Sequence, residues 1–223
     1  MEIVPNVHQI AGSVSNGYLI LDSGGLTLID TGLPRDQKKI VEYIARLGRT
    51  LRDLRRIIIT HADGDHVGSL AGLQLASGAR VYASEIEARA IIAGKMSREL
   101  KTGGLLKSLM GLTAPLFRAK PAHVDEIIGE GTVLPVLGGL RVITTEGHTP
   151  GHISLFAPSV GVLFTGDSVI SRDRQLRGST GMNTWDQEKA NASMRKQATP
   201  SAQIVCAGHG AVIVDARGKF PDV

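Results

Sequence analysis

Ile57-Ile58-Ile59-Thr60 runs directly into His61-Ala62-Asp63-Gly64-Asp65-His66. An apolar β-branched run of this kind suits a strand buried on both faces. The two histidines and two aspartates that follow it need a reason to be there, because packing such groups together without a cation is costly. Three more candidates occupy similar places. His148 lies in a glycine-bearing turn, Asp167 follows the apolar segment 161–165, and His209 follows 204–207. His61, Asp63 and Asp65 alternate along the chain, so a tight turn is needed to aim all three inward, and Gly64 gives the backbone that freedom. His66 falls at the start of a helical pattern that begins at Val67. Imidazoles and carboxylates together suit Zn(II), Mn(II) or Fe(II). His152 begins a strand soon after His148 and is a candidate hydrogen-bond partner behind the ligands. His8 and His123 lack such company and read as structural.

Each half of the chain carries strands and helices in similar order. Strands are expected at 7–11, 16–21, 26–30, 54–60 and 79–83, with helices from Pro34, over 67–77 and over 85–93. The second half gives strands at 126–129, 132–136, 140–145, 152–157, 161–165 and 204–207. A helix over 185–196 is capped by Asn183 or Thr184. Sheet-on-sheet packing with helices outside each sheet accommodates this order. The chain of 223 residues can bury a core without staples. Its one cysteine, Cys206, excludes a disulfide framework and a thiolate-rich zinc site. A net charge of +4 without a dense basic tract, and scarce aromatics, exclude nucleic acid as an expected partner. No run reaches the roughly 20 apolar residues of a membrane helix. The N-terminus lacks a basic segment followed by an apolar one. A soluble cytoplasmic protein is expected, as one domain over 1–223. Segment 94–121 differs in composition: Lys95, Arg98, Lys101, Lys107, Arg118 and Lys120 face one acid, Glu99. It reads as a helical or loop insert bordering the site.

Five segments, in order, resemble the metallo-beta-lactamase-fold hydrolases. They are Leu28-Ile29-Asp30-Thr31-Gly32, the block at 61–66, Gly147-His148-Thr149-Pro150-Gly151-His152, Phe164-Thr165-Gly166-Asp167 and Gly208-His209-Gly210. The resemblance covers nearly the whole chain. It implies an α+β fold, an αββα sandwich of two mixed β-sheets packed face to face with helices on both outer faces. It places a metal centre in a cleft at one edge between the sheets. By position, it implies His61, Asp63 and His148 at a first cation, Asp65, His66 and His209 at a second, and Asp167 bridging them. Asp30 matches a position that hydrogen-bonds a ligand from behind. The family's usual second histidine is Asp63 here, a His-x-Asp-x-Asp-His variant. Two divalent ions are implied, zinc by family, with manganese or iron favoured by the hard carboxylate of Asp63. Such ions lower the pKa of a bound water to give hydroxide near neutral pH, and Asp65 is the candidate to orient that water.

The expected reaction is metal-dependent hydrolysis of a small ester, thioester or lactone. Asp167 stands where antibiotic-degrading members carry Cys. Ile170 stands where related lactonases carry a substrate-contacting Tyr. Glyoxalase II and persulfide dioxygenase resemble the His148 region, but glyoxalase II has a longer helical part after the position of His209. Leu106, Met110 and Phe117 of the insert, together with Ile170, are candidate pocket residues, and the basic groups nearby suit an anionic small molecule. The apolar insert also suits packing on the body or a homodimer contact. Two rival readings are a mononuclear iron persulfide dioxygenase and a metal-stabilised protein without catalysis. Arg172, Arg174 and Arg177 read as a solvated loop.

Overall fold

A computed structural model describes residues 1–99, 119–198 and 202–221 of the chain. One sheet contains, in sequence order, β1 (Glu2–Val4), β2 (Val7–Ala11), β3 (Asn16–Asp22), β4 (Gly25–Ile29), β5 (Leu54–Ile58), β6 (Arg80–Ala83) and β7 (Glu126–Ile127). The second contains β8 (Val133–Leu134), β9 (Leu140–Thr144), β10 (Ile153–Ala157), β11 (Val162–Gly166), β14 (Ile204–Ala207) and β15 (Ile213–Val214). Its order is β15-β14-β11-β10-β9-β8. β12 (Val169–Arg172) and β13 (Gln175–Gly178) pair separately. The helices are α1 (Gln37–Arg46), α2 (Gly64–Val67), α3 (Leu70–Ser77), α4 (Glu85–Ala93) and α5 (Gln187–Ala198). The fold is the αββα sandwich.

The period of two along each strand explains the layers. In β5 and just beyond it, Ile57 and Ile59 face α1, α3 and α4, while Ile58 faces the other sheet. In β3, Leu19 takes the helix side and Tyr18 and Ile20 the sheet side. In β11, Phe164 lies between the sheets and Leu163 lies under α5 with Met194. Strands buried on both faces need apolar residues at every position, which is why they read as continuous runs. Cys206 belongs to the layer between the sheets, and burial raises its thiol pKa.

Two pairings position the site. β4 and β5 are parallel neighbours, and so are β11 and β14. Parallel strands end on the same edge, so the residues after all four emerge together. The sheets are tied at this edge. Ile153 N–H donates to the Thr60 carbonyl at 3.0 Å, and Asn16 N–H donates to the Gly208 carbonyl at 2.7 Å. The Tyr18 hydroxyl donates to the Ala207 carbonyl at 2.6 Å.

Several expected elements differ. The helix expected over 67–77 is two pieces, α2 and α3. At the break, a side chain on Gly68 would meet Pro34 at 2.5 Å, so the chain turns where only glycine lets the two segments touch. Gly64 opens α2, and the turn that aims the 61–66 block is this short helix rather than a left-handed glycine. The charged stretch after Asp167 is the β12–β13 hairpin, turned by Asp173 and Arg174 with φ of 52° and 58°. The cap of α5 is Asp186, whose Oδ1 accepts from Lys189 N–H at 3.0 Å. Among the described residues no helix is long and apolar enough to cross a membrane.

Candidate metal centre

The residues singled out by pattern come from separate connections and converge on one point. His61 to His66 follow β5, His148 lies between β9 and β10, Asp167 follows β11, and His209 follows β14. Three groups have ligand atoms within 4.8 Å of one another: His61, Asp63 and His148; Asp65, His66 and His209; and His61, His66 and Asp167. Asp167 stands between the first two. Its Oδ2 lies 4.0 Å from His61 Nε2, 3.7 Å from His148 Nε2 and 3.1 Å from His209 Nε2. Its Oδ1 lies 3.3 Å from His66 Nε2. Asp63 Oδ2 lies 3.2 Å from His148 Nε2 and 3.7 Å from His61 Nε2. Asp65 Oδ2 lies 3.3 Å from His209 Nε2 and 3.8 Å from His66 Nε2.

The opposite nitrogen of every ring is held from behind. His66 Nδ1–H donates to Asp30 Oδ2 at 2.9 Å. That oxygen also accepts the Thr60 hydroxyl at 2.7 Å, so Thr60 Oγ1 in turn accepts His61 Nδ1–H at 3.0 Å. His209 Nδ1–H donates to the Val14 carbonyl at 3.1 Å, and His148 Nδ1 meets Ser179 Oγ at 2.9 Å. These partners fix the ring orientations of His61, His66 and His209 and turn their Nε2 atoms inward. His152 uses both nitrogens: Nδ1 meets Thr145 Oγ1 at 2.8 Å, and Nε2 accepts Asp167 N–H at 3.1 Å. It therefore steadies Asp167 and has no lone pair left for the centre.

Among the described residues, three buried atoms at the convergence make no hydrogen bond: His61 Nε2, His66 Nε2 and Asp167 Oδ1. Orphaned buried polar atoms are rare in folded proteins, and three aimed at one space suit a cation. The charges point the same way. Burial opposes a proton on His66, but Asp167, Asp65 and Asp30 outweigh it and hold its pKa well above the usual value. Burial likewise opposes the His209 proton, and Asp167 and Asp65 override it, raising the pKa to about 10. Burial also works against the charge on Asp167, yet His66, His209 and His61 hold its pKa well below the carboxylate range. His61 and His152 are driven well down, by burial first. The carboxylates thus call for positive charge that the rings only partly supply. A side chain on Gly208 would sit 2.2 Å from Asp167 Oδ1 and 2.9 Å from His66 Cε1, so the strand carrying His209 passes too close for anything but glycine.

Two functional residues escaped sequence reasoning. Glu87 of α4 is fully buried. It accepts Ala62 N–H at 2.8 Å on Oε2, and Ser97 Oγ–H at 2.9 Å, Thr149 Oγ1–H at 2.6 Å and Gly151 N–H at 3.0 Å on Oε1. It joins the loops that carry His61 and His148 to the start of the 94–121 segment. Arg98 donates to Asp63 Oδ1 at 2.5 Å and to the Asn183 carbonyl at 3.2 Å, with Nη2 3.4 Å from His148 Nε2. A Glu three residues after Ser84, the cap of α4, was the available signal for the first. The second lay hidden in a basic stretch. Ile170 is half-buried on β12, opposite Arg177. Leu106, Met110 and Phe117 lie outside the described residues.

The family model described as "Metallo-beta-lactamase superfamily" matches residues 10–209. The chain is 30% identical to "Probable metallo-hydrolase YflN" of Bacillus subtilis, over 94% of this chain and 85% of that protein. It is 28% identical to a hydroxyacylglutathione hydrolase of Rhodobacter capsulatus, over 87% of this chain and 62% of that protein. A metallo-beta-lactamase family protein of Thermus thermophilus superposes with a TM-score of 0.76 at 22% identity, over 98% of this chain and 78% of that one.

Proposed function

Because the chain belongs to the metallo-beta-lactamase superfamily, we propose that it is a dinuclear metal-dependent hydrolase of a small ester, thioester or lactone. The observation that carries this reading is the set of inward Nε2 atoms and carboxylates gathered from both sheets, with His61 Nε2, His66 Nε2 and Asp167 Oδ1 unpartnered among the described residues. His61, Asp63 and His148 would hold one cation and Asp65, His66 and His209 the other, with Asp167 shared. Divalent cations held there supply Lewis acidity toward an acyl oxygen and lower the pKa of a water.

The chain's own residues do the positioning. Asp65 and His209 have the most exposed side chains of the set, at 20% and 29%, so water and substrate reach the centre from their side. The ion pairs of Asp65 with His66 and His209 both fall on Oδ2, which leaves Oδ1 to accept a hydrogen bond from an approaching water and orient it. Asp30, Thr60, Ser179 and Val14 keep the rings in place, so little reorganisation is needed during reaction. The match to a hydroxyacylglutathione hydrolase supports an acylated thiol as the first substrate class to test.

The test is elemental analysis of protein purified without chelator, with a panel of esters, thioesters and lactones assayed on the same sample. Two equivalents of zinc, manganese or iron, with turnover lost in Asp167→Ala, are expected. One equivalent of iron with persulfide-dependent oxygen uptake would replace this reading with a dioxygenase. Firmly held metal without turnover on any substrate would replace it with a structural role.

A further inference from the structure

Arg98 is the only Lys or Arg among the described residues that pairs with an aspartate of the cluster. Its side chain is 2% exposed. One nitrogen binds Asp63 Oδ1, and the other lies 3.4 Å from His148 Nε2, the nitrogen that His148 turns toward the centre. That second nitrogen, Nη2, also donates to the Asn183 carbonyl at 3.2 Å. The preceding residue, Ser97, is pinned by Glu87. A guanidinium keeps its charge at any pH a protein meets, so this is a permanent cation docked on two of the three members of the His61–Asp63–His148 group. The Asp65–His66–His209 group has no such neighbour among the described residues.

Resting on the metal-centre reading above, we infer that Arg98 is an internal cation that competes with a divalent ion for the His61–Asp63–His148 group, so that the Asp65–His66–His209 group binds the tighter ion. Like charges a few ångströms apart in a partly dehydrated site repel strongly. An ion at the first group must share Asp63 with Arg98 and take the lone pair of His148 that Nη2 faces. The two groups therefore load in order, the second before the first, and the Asp63–Arg98 pair sets the gap between them.

The test is a calorimetric titration of the full-length protein with Mn2+, and separately with Co2+ followed by its visible absorption. Wild type, Arg98→Met, Arg98→Gln and Arg98→Lys are compared, each checked by circular dichroism. Wild type is expected to show two binding events with affinities at least about tenfold apart. Arg98→Met tightens the weaker event by about tenfold or more and leaves the tighter within about twofold. Arg98→Lys keeps the charge and stays within about threefold of wild type. Arg98→Gln removes the charge with a shorter polar side chain, and stands in for Arg98→Met if that variant does not fold. A weaker event that is unchanged or weakened in the uncharged variants would overturn the inference and make Arg98 a holder of Asp63. No binding by wild type, with His66→Ala indistinguishable from it, would instead overturn the metal-centre reading itself.

Discussion

Glu87 Oε2 accepts the N–H of Ala62 at 2.8 Å, and through that bond a helix on the outer face sets the path of the chain between His61 and Asp63. Its other oxygen takes Ser97, Thr149 and Gly151. One buried carboxylate thus serves two ligand loops and the root of the segment that carries Arg98. Burial raises its pKa, and the bonds it accepts only partly offset this. An ionised carboxylate can accept all four donors.

Glu87→Gln tests this. An amide offers one accepting oxygen, so whichever way it faces, its NH2 meets a donor. With oxygen on the three-donor side, the NH2 faces Ala62 N–H. Leaving buried donors unpaired costs about 1–3 kcal/mol, and urea unfolding should show a loss in that range. A variant as stable as wild type would mean the carboxylate is dispensable to the loops.

Asp30→Asn isolates the support behind His66. Asp30 has φ of 56°, a left-handed conformation that asparagine adopts readily, so the backbone is preserved. The amide has one accepting oxygen: at the position of Oδ2 it turns its NH2 on Thr60 N–H, and at the position of Oδ1 it loses His66 Nδ1–H and the Thr60 hydroxyl. Loss of such a partner typically costs about 10–100-fold in metal affinity. Competition with a chromogenic chelator reads this directly, and an unchanged affinity would remove Asp30 from the centre.

Gly208→Ala should damage the centre more than the fold. The added methyl would meet Asp167 Oδ1 at 2.2 Å and the Gly166 carbonyl oxygen at 2.9 Å. Asp167 must swing away, taking its carboxylate from the space between the two groups. Metal affinity is expected to fall at least about tenfold while circular dichroism stays native. Retained affinity would show that Asp167 has another place to go.

Asp36 gives a pH test away from the centre. It is buried and accepts from Ser13 N–H and Leu33 N–H at 2.9 Å each and from Ser13 Oγ–H at 2.6 Å. Burial raises its pKa, but these bonds and Lys39 outweigh it, and the pKa is lowered. A depressed folded-state pKa means that stability is fully present above the unfolded carboxylate value of about 3.9 and is lost as pH falls through the folded value. Asp36→Asn should lower stability near neutrality by about 1–3 kcal/mol, and the gap from wild type should close as pH drops below about 4. A gap that is constant with pH would assign the loss to shape and not to charge.

The fold was legible where burial forces composition. Ile57 to Ile59 had to be apolar at each position because layers lie on both sides, so the polar residues that end such runs stand out. The convergence at the candidate site was legible because its residues follow strand ends: His61 and His66 come after β5, Asp167 after β11 and His209 after β14. What stayed hidden depends on partners far along the chain. Arg98 reads as one more basic surface residue until Asp63 is seen beside it, and Glu87 reads as a favourable acid in the first turn of a helix. The β12–β13 hairpin was missed because Asp173 and Arg174, rather than glycine or asparagine, adopt its left-handed turn.

Removing metal should lower thermal stability, and the size of the drop is bounded by linkage. An ion that binds only the folded chain stabilises it by about 2.7 kcal/mol when its free concentration is 100 times the dissociation constant. For a chain of this length, 1 kcal/mol corresponds to about 2–4 °C in Tm. Excess chelator is therefore expected to lower Tm by roughly 5–11 °C relative to protein equilibrated with Mn2+ or Zn2+ at that ratio. The response should vanish in Asp167→Ala, because that substitution removes the carboxylate facing His61, His66, His148 and His209 together. Asp167→Ala also loses the pairing of this carboxylate with His66 and His209, so in chelator its Tm should lie at or below that of wild type. A chelator effect that persists in Asp167→Ala would place the stabilising ion elsewhere in the molecule.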